Sequence, residues 1–145
     1  MDDYTGRLNK HEEYIKILKL LEPKTKYIEV VLIDEKEKNH LVEKFINDII
    51  STKIVSEWWG TITAAKNKLI KIKASKQLFK YLEKFETFCK YKTSRMRGDY
   101  SEVTDFGWDD IAFYNEKDEI LLCTTTHEGY IMIDDKLVKK GDLYD

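Results

Sequence analysis

The side chains best suited to chemistry in this 145-residue chain are three histidines, His11, His40 and His127, and two cysteines, Cys89 and Cys123. No pair of histidines has the H-E-x-x-H spacing that sets two imidazoles on one metal, and no C-x-x-C occurs, so the pattern predicts no metal site. His127 follows Thr124, Thr125 and Thr126 and precedes Glu128; with a second carboxylate from Asp109 or Asp110 it would be a candidate general base. A threonine-rich strand end running into a polar His-Glu-Gly turn explains the same residues without chemistry, and that reading is adopted. No phosphate-cradling glycine loop and no G-x-S-x-G elbow can be drawn from six scattered glycines. Both cysteines fall in apolar stretches and read as small buried hydrophobes. The expectation is therefore no catalytic residue, no cofactor and no metal: a binding protein and not an enzyme.

Charge and aromatic placement say more. The chain totals −2, yet residues 1–51 balance at −2, residues 52–97 at +9 and residues 98–145 at −9. Such segregation reports on partners more than on fold. Trp58-Trp59-Gly60 puts two indoles side by side in a strand, where successive side chains point to opposite faces, so both cannot enter one core. Trp108 stands among carboxylates in Asp105-Phe106-Gly107-Trp108-Asp109-Asp110. Aromatic anchors inside an acidic rim suit a basic partner, because buried aromatics supply contact energy while rim charges steer encounter. The candidate partner-binding set is Trp59, Asp105, Trp108, Asp109, Asp110 and Glu128. The alternative is a nucleic-acid or regulatory binding module using the lysine-rich segment 66–92, whose lysines interleave with Tyr81 and Tyr91. It lacks any recognition-module signature and is short of the arginines that favour bidentate contacts.

These side chains need a scaffold, and the hydrophobic pattern supplies one. Asn9 and Glu12 have capping-box spacing ahead of Tyr14, Ile15, Leu18 and Leu21, with Pro23 closing a first helix. Tyr27 to Ile33 reads as a strand buried on both faces and central in a sheet. Asp34 and Glu37 can cap a second helix with a stripe of Leu41, Val42, Phe45, Ile46, Ile49 and Ile50. Ile54 to Thr63 and Leu69 to Ala74 alternate as a hairpin joined through Ala65-Lys66-Asn67-Lys68. Ser75 caps a third helix lined by Leu78, Leu82, Phe85 and Cys89, and residues 92–107 form a long connection of the kind that carries function. Ile111 to Tyr114, Ile120 to Thr126 and Tyr130 to Ile133 complete a meander. The order α-β-α-β-β-α-β-β-β predicts an α+β fold: a single domain over 1–145 with a mostly antiparallel mixed sheet and about three helices packed on one face.

The length suits one domain able to bury about two-thirds of its unfolded surface. No apolar run approaches the roughly 18 residues of a membrane helix, and the acidic start Met1-Asp2-Asp3-Tyr4 leads into no apolar signal region. A cytoplasmic protein without membrane contact is expected. The oligomeric state is left open.

The stretch from Thr104 to Gly129, with T-D-F-G-W-D-D-I-A-F-Y-N and L-L-C-T-T-T-H-E-G, taken with Trp58-Trp59-Gly60, resembles small immunity proteins. Their genes lie beside polymorphic, LXG-type toxins in low-GC Gram-positive bacteria. The resemblance covers about a fifth of the chain and brings no catalytic motif. It implies a cytoplasmic inhibitor that binds a cognate toxin and blocks its active site or substrate groove. Against a nuclease toxin, a −9 segment would imitate the phosphate backbone that a basic groove normally holds.

Overall fold

Apolar residues brought into one row across six paired strands decide which face of the sheet the helices cover. The computed structural model describes residues 1–33, 39–89, 106 and 109–139, apart from the side chain of His127. Its elements are β1 (Asp2–Asp3), α1 (His11–Leu21), β2 (Tyr27–Leu32), α2 (His40–Lys44), β3 (Ile49–Trp58), β4 (Thr61–Lys73), α3 (Lys76–Leu82), β5 (Asp110–Tyr114), β6 (Ile120–Thr125) and β7 (Tyr130–Ile133). All seven strands join one antiparallel sheet in the order β1-β7-β6-β5-β2-β4-β3. The α+β class, the central position of β2 and the β5-β6-β7 meander are as the pattern predicts.

Register turns the alternation into two unlike faces. Ile133, Leu122, Phe113, Ile28, Ile72 and Ile49 stand in one cross-strand row from β7 to β3. α1 and α3 pack on that side through Tyr14, Ile17, Leu18 and Leu21 and through Leu78, Phe79 and Leu82, all in one core cluster. Phe85, Phe88 and Phe113 extend the core as edge-on rings, Tyr14 to Phe88 at 4.8 Å and Phe85 to Phe106 at 4.7 Å between centroids. The neighbouring row, Met132, Cys123, Ala112, Glu29, Lys71 and Ser51, belongs to the opposite face. No helix of the described residues is long and apolar enough to cross a membrane.

Three local readings change. α1 starts one residue later than the Asn9 cap implies, with Lys10 N–H donating to Glu13 Oε1 at 3.2 Å, while Asn9 Nδ2 donates to Gly6 O. The second helix is short. Asn39 Oδ1 caps it by accepting from Val42 N–H at 2.9 Å, it ends at Lys44, and a 3₁₀ turn over Ile46–Asp48 leads into β3. Ile46 and Ile50, expected on its buried stripe, are 61% and 56% exposed. The capping pair Asp34 and Glu37 lies outside the described residues. Ser75 does cap α3, accepting from Leu78 N–H at 3.1 Å, although that helix stops at Leu82 and Phe85 reaches the core from the turns beyond.

The third change relocates the hairpin. Ala65-Lys66-Asn67-Lys68 does not turn; it runs inside a continuous 13-residue β4, and Asn67 is buried. The chain reverses at Trp59-Gly60, both with positive φ, +21° and +94°. Two successive positive φ values define the two-residue turn whose twist matches antiparallel strands, and glycine accepts the second without a steric cost. The hairpin is therefore longer than the pattern suggests, and its tip carries the paired tryptophans.

Candidate functional site

Between Thr61 and Asn67, β4 runs past the end of its partner β2, whose pairing stops at Lys68. Those seven residues can span ~23 Å, whereas three interstrand steps from β4 to β6 need only ~14 Å. The arm uses that reach to cross the face opposite the helices. Trp58 packs there with Val31 and Leu69, and Ile33, Val55 and Trp59 border this second, smaller cluster.

Hydrogen bonds fasten the tip. Trp58 Nε1–H donates to Asp110 Oδ2 at 2.8 Å, and the other carboxylate oxygen, Oδ1, accepts from Thr126 N–H at 2.8 Å. Trp59 Nε1–H donates to Thr124 O at 2.9 Å. The adjacent indoles thus take different environments, as their alternation demands: Trp58 is buried and Trp59 half-buried. Thr124 Oγ1 accepts from Ile111 N–H and shares a 2.8 Å bond with Thr126 Oγ1, which stiffens the strand end under the tip.

Asp109 and Asp110 do not belong to an acidic rim. Asp110 is fully buried and Asp109 is 5% exposed. Asp109 accepts from Ile33 N–H at 3.0 Å and from Asn39 Nδ2–H at 2.7 Å, tying the end of β2 to the start of α2. A buried carboxylate costs free energy unless such donors surround it, so each of these two aspartates works as an internal clamp. Asp105 and Trp108 fall outside the described residues. Trp59 and Glu128 are brought together: both line a cleft of about 460 Å³ between the hairpin tip and the β6–β7–β1 end of the sheet.

The floor of this cleft is the cross-strand row Asp3, Met132, Cys123. Its walls include Trp59, Gly60 and Ile62 from the tip, and Glu128 and Tyr130 from the turn before β7. Asp3 and Glu128 are exposed, Ile62 is 76% exposed and Tyr130 49% exposed. Among the described residues, no lysine or arginine lines the cleft. The described lining of the cleft is therefore acidic and aromatic, set between the hairpin tip and the β1–β7 edge of the sheet. Sequence pattern missed Asp3, Ile62 and Tyr130. The available signal was Gly60: a turn there would have sent the flanking residues out together at a hairpin tip.

The remaining candidates divide. Burial first, with the Asp110 carboxylate second, pushes the Cys123 thiol up to about 11 and the Cys89 thiol up to about 12. Both are poor nucleophiles, in keeping with their reading as core thiols. The lysines of β4 do not converge on one surface: Lys68 shares the side of Ile70 and Ile72, whereas Lys71 and Lys73 project to the other. Lys71 Nζ sits 4.1 Å from the Tyr27 ring, which stacks on Tyr114 at 4.8 Å. Burial, and then Glu29 beside it, raises the Tyr114 hydroxyl well above its usual range. His127 lies in the 3₁₀ turn Thr126–Glu128, which closes on Gly129 at φ +72°.

No protein-family model matches the chain, and no curated protein or solved structure shows significant similarity to it.

Proposed function

We propose that this chain is an immunity protein: a cytoplasmic inhibitor that binds a cognate bacterial toxin, of nuclease type, through the acidic aromatic cleft at the hairpin tip. The observation that carries the reading is the composition of that cleft, with carboxylates from Asp3 and Glu128, aromatic surface from Trp59 and Tyr130, and no basic side chain among the described residues that line it. A nuclease groove is basic and shaped for phosphates, so acids held beside aromatic anchors meet it with charge and contact area together. Rigidity supports the same reading. The tip is fixed by Trp58 on Asp110 and Trp59 on Thr124, so few degrees of freedom remain to be lost on docking. The resemblance of 104–129 to immunity proteins points the same way.

The test is titration calorimetry with the toxin domain encoded by the neighbouring gene. The proposal expects nanomolar binding, and a loss of at least about tenfold for Glu128→Lys combined with Asp3→Lys, since like charge at an interface costs more than ~1.4 kcal/mol. Unchanged affinity in that double variant, with the fold intact, would sink the reading. Charge reversal at Asp109 or Asp110 is no substitute, because both are internal and the change would destabilise the fold as well as alter any binding.

A further inference from the structure

β3 ends the sheet: β4 pairs with one side of it, and among the described residues no strand pairs with the other. At ten residues it is long for an edge strand, and such an edge presents unpaired N–H and C=O groups to any matching strand. Irregularities in its register between Ile49 and Ser51 and between Val55 and Glu57 leave Ser51–Val55 as a regular run between them. Ile50, at the first irregularity, and Ile54, within the regular run, lie two residues to either side of Thr52; they are 56% and 57% exposed, an unusual state for isoleucine in a strand.

We infer that a second copy of this chain pairs with β3, antiparallel and centred on Thr52, joining two sheets edge to edge. The sequence is self-complementary about that point. Thr52 meets its own copy, Ser51 meets Lys53, and Ile50 meets Ile54 twice, so both exposed isoleucines are covered and no like charges are opposed. Centring the pair one residue later would set Lys53 against Lys53. A foreign strand would need to supply this pattern; a second copy carries it already. The surface is separate from the cleft, so the inference stands or falls independently of the proposed inhibition.

Sedimentation velocity on the intact chain tests it. The wild type is expected to form a species of twice the 17.3 kDa chain mass at micromolar concentration. Two double variants, Ile50→Lys with Ile54→Lys and Ile50→Glu with Ile54→Glu, should each sediment as monomers. Their equimolar mixture should recover the dimer, because the register sets position 50 of one copy against position 54 of the other. Both sites are more than half exposed, so neither change empties the core. A monomeric wild type, including one whose β3 amides are protected only by a foreign partner, overturns the inference. So does a dimer that persists in both variants, or a mixture that stays monomeric.

Discussion

The two faces of the sheet are covered by different means. On one side, α1 and α3 hold on through apolar side chains, with Phe113, Phe79, Leu82 and Tyr14 in a continuous core. On the other, a hairpin arm is held by a small cluster and by two indole donors aimed at Asp110 and Thr124. Apolar packing is non-directional and leaves no gap, whereas a few directed bonds fix one point of an arm and leave open space beside it. That difference explains why the cleft lies on the second face. It also predicts that the two sides fail differently.

The largest effect belongs to the helix face. Phe113→Ala should destabilise by about 4 kcal/mol in denaturant titration, from lost burial and the cavity left beneath Phe79 and Phe88. On the arm face, Asp110→Ala strands two buried donors, Trp58 Nε1–H and Thr126 N–H, and should cost about 3 kcal/mol. A double-mutant cycle with Trp58→Phe sharpens the contrast: the two changes should be coupled by ~1 kcal/mol or more, while Phe113→Ala and Trp58→Phe should add. Additivity of Asp110→Ala with Trp58→Phe would break the proposed clamp.

Gly60→Ala comes next. Nothing lies within 4 Å of a Cβ built there, so the penalty is conformational alone and should be about 1 kcal/mol, from φ +94°. The thiols give a pH signature of similar kind. Their folded values are raised from 9.0 to about 11 and 12, so the neutral thiol is the form the fold favours. Stability should therefore be fully present below pH 9 and fall as pH rises towards 11 to 12, and Cys123→Ala with Cys89→Ala should flatten that part of the curve. Below pH 9, alkylating reagents should label these cysteines only on unfolding. The smallest effect is expected at Glu128→Lys, within about 0.5 kcal/mol of wild-type stability, since the residue is exposed; its consequence should fall on binding alone.

The same contrast marks what the sequence could reveal. The inner strands announce themselves, because Tyr27–Leu32 and the meander over 110–133 are short, largely apolar runs between turn residues and need no distant partner to be recognised. The second helix misleads for a physical reason. Leu41, Phe45 and Ile49 recur every four residues, a spacing that fits a helical stripe and a strand equally, and the β-branched run from Ile49 decides for the strand. The hairpin turn was hidden by Ala65–Lys68, whose polar composition imitates a loop, although Gly60 held the positive φ. Asp109 and Asp110 look like surface acids because their donors stand far off in sequence, at Ile33, Asn39, Trp58 and Thr126. Of the candidate site, Trp59 and Glu128 were legible, while Asp3 and Tyr130 join them only through the pairing of β1 with β7 and β7 with β6.

Amide hydrogen exchange, with and without the neighbouring-gene toxin domain, tests the central claim most directly. Binding at the hairpin tip predicts new protection concentrated at Trp59–Ile62, at Asp3 and at Glu128–Met132, with α3 unchanged. Protection centred on α3 and the β4 lysines, with the tip exchanging as in the free protein, would contradict it.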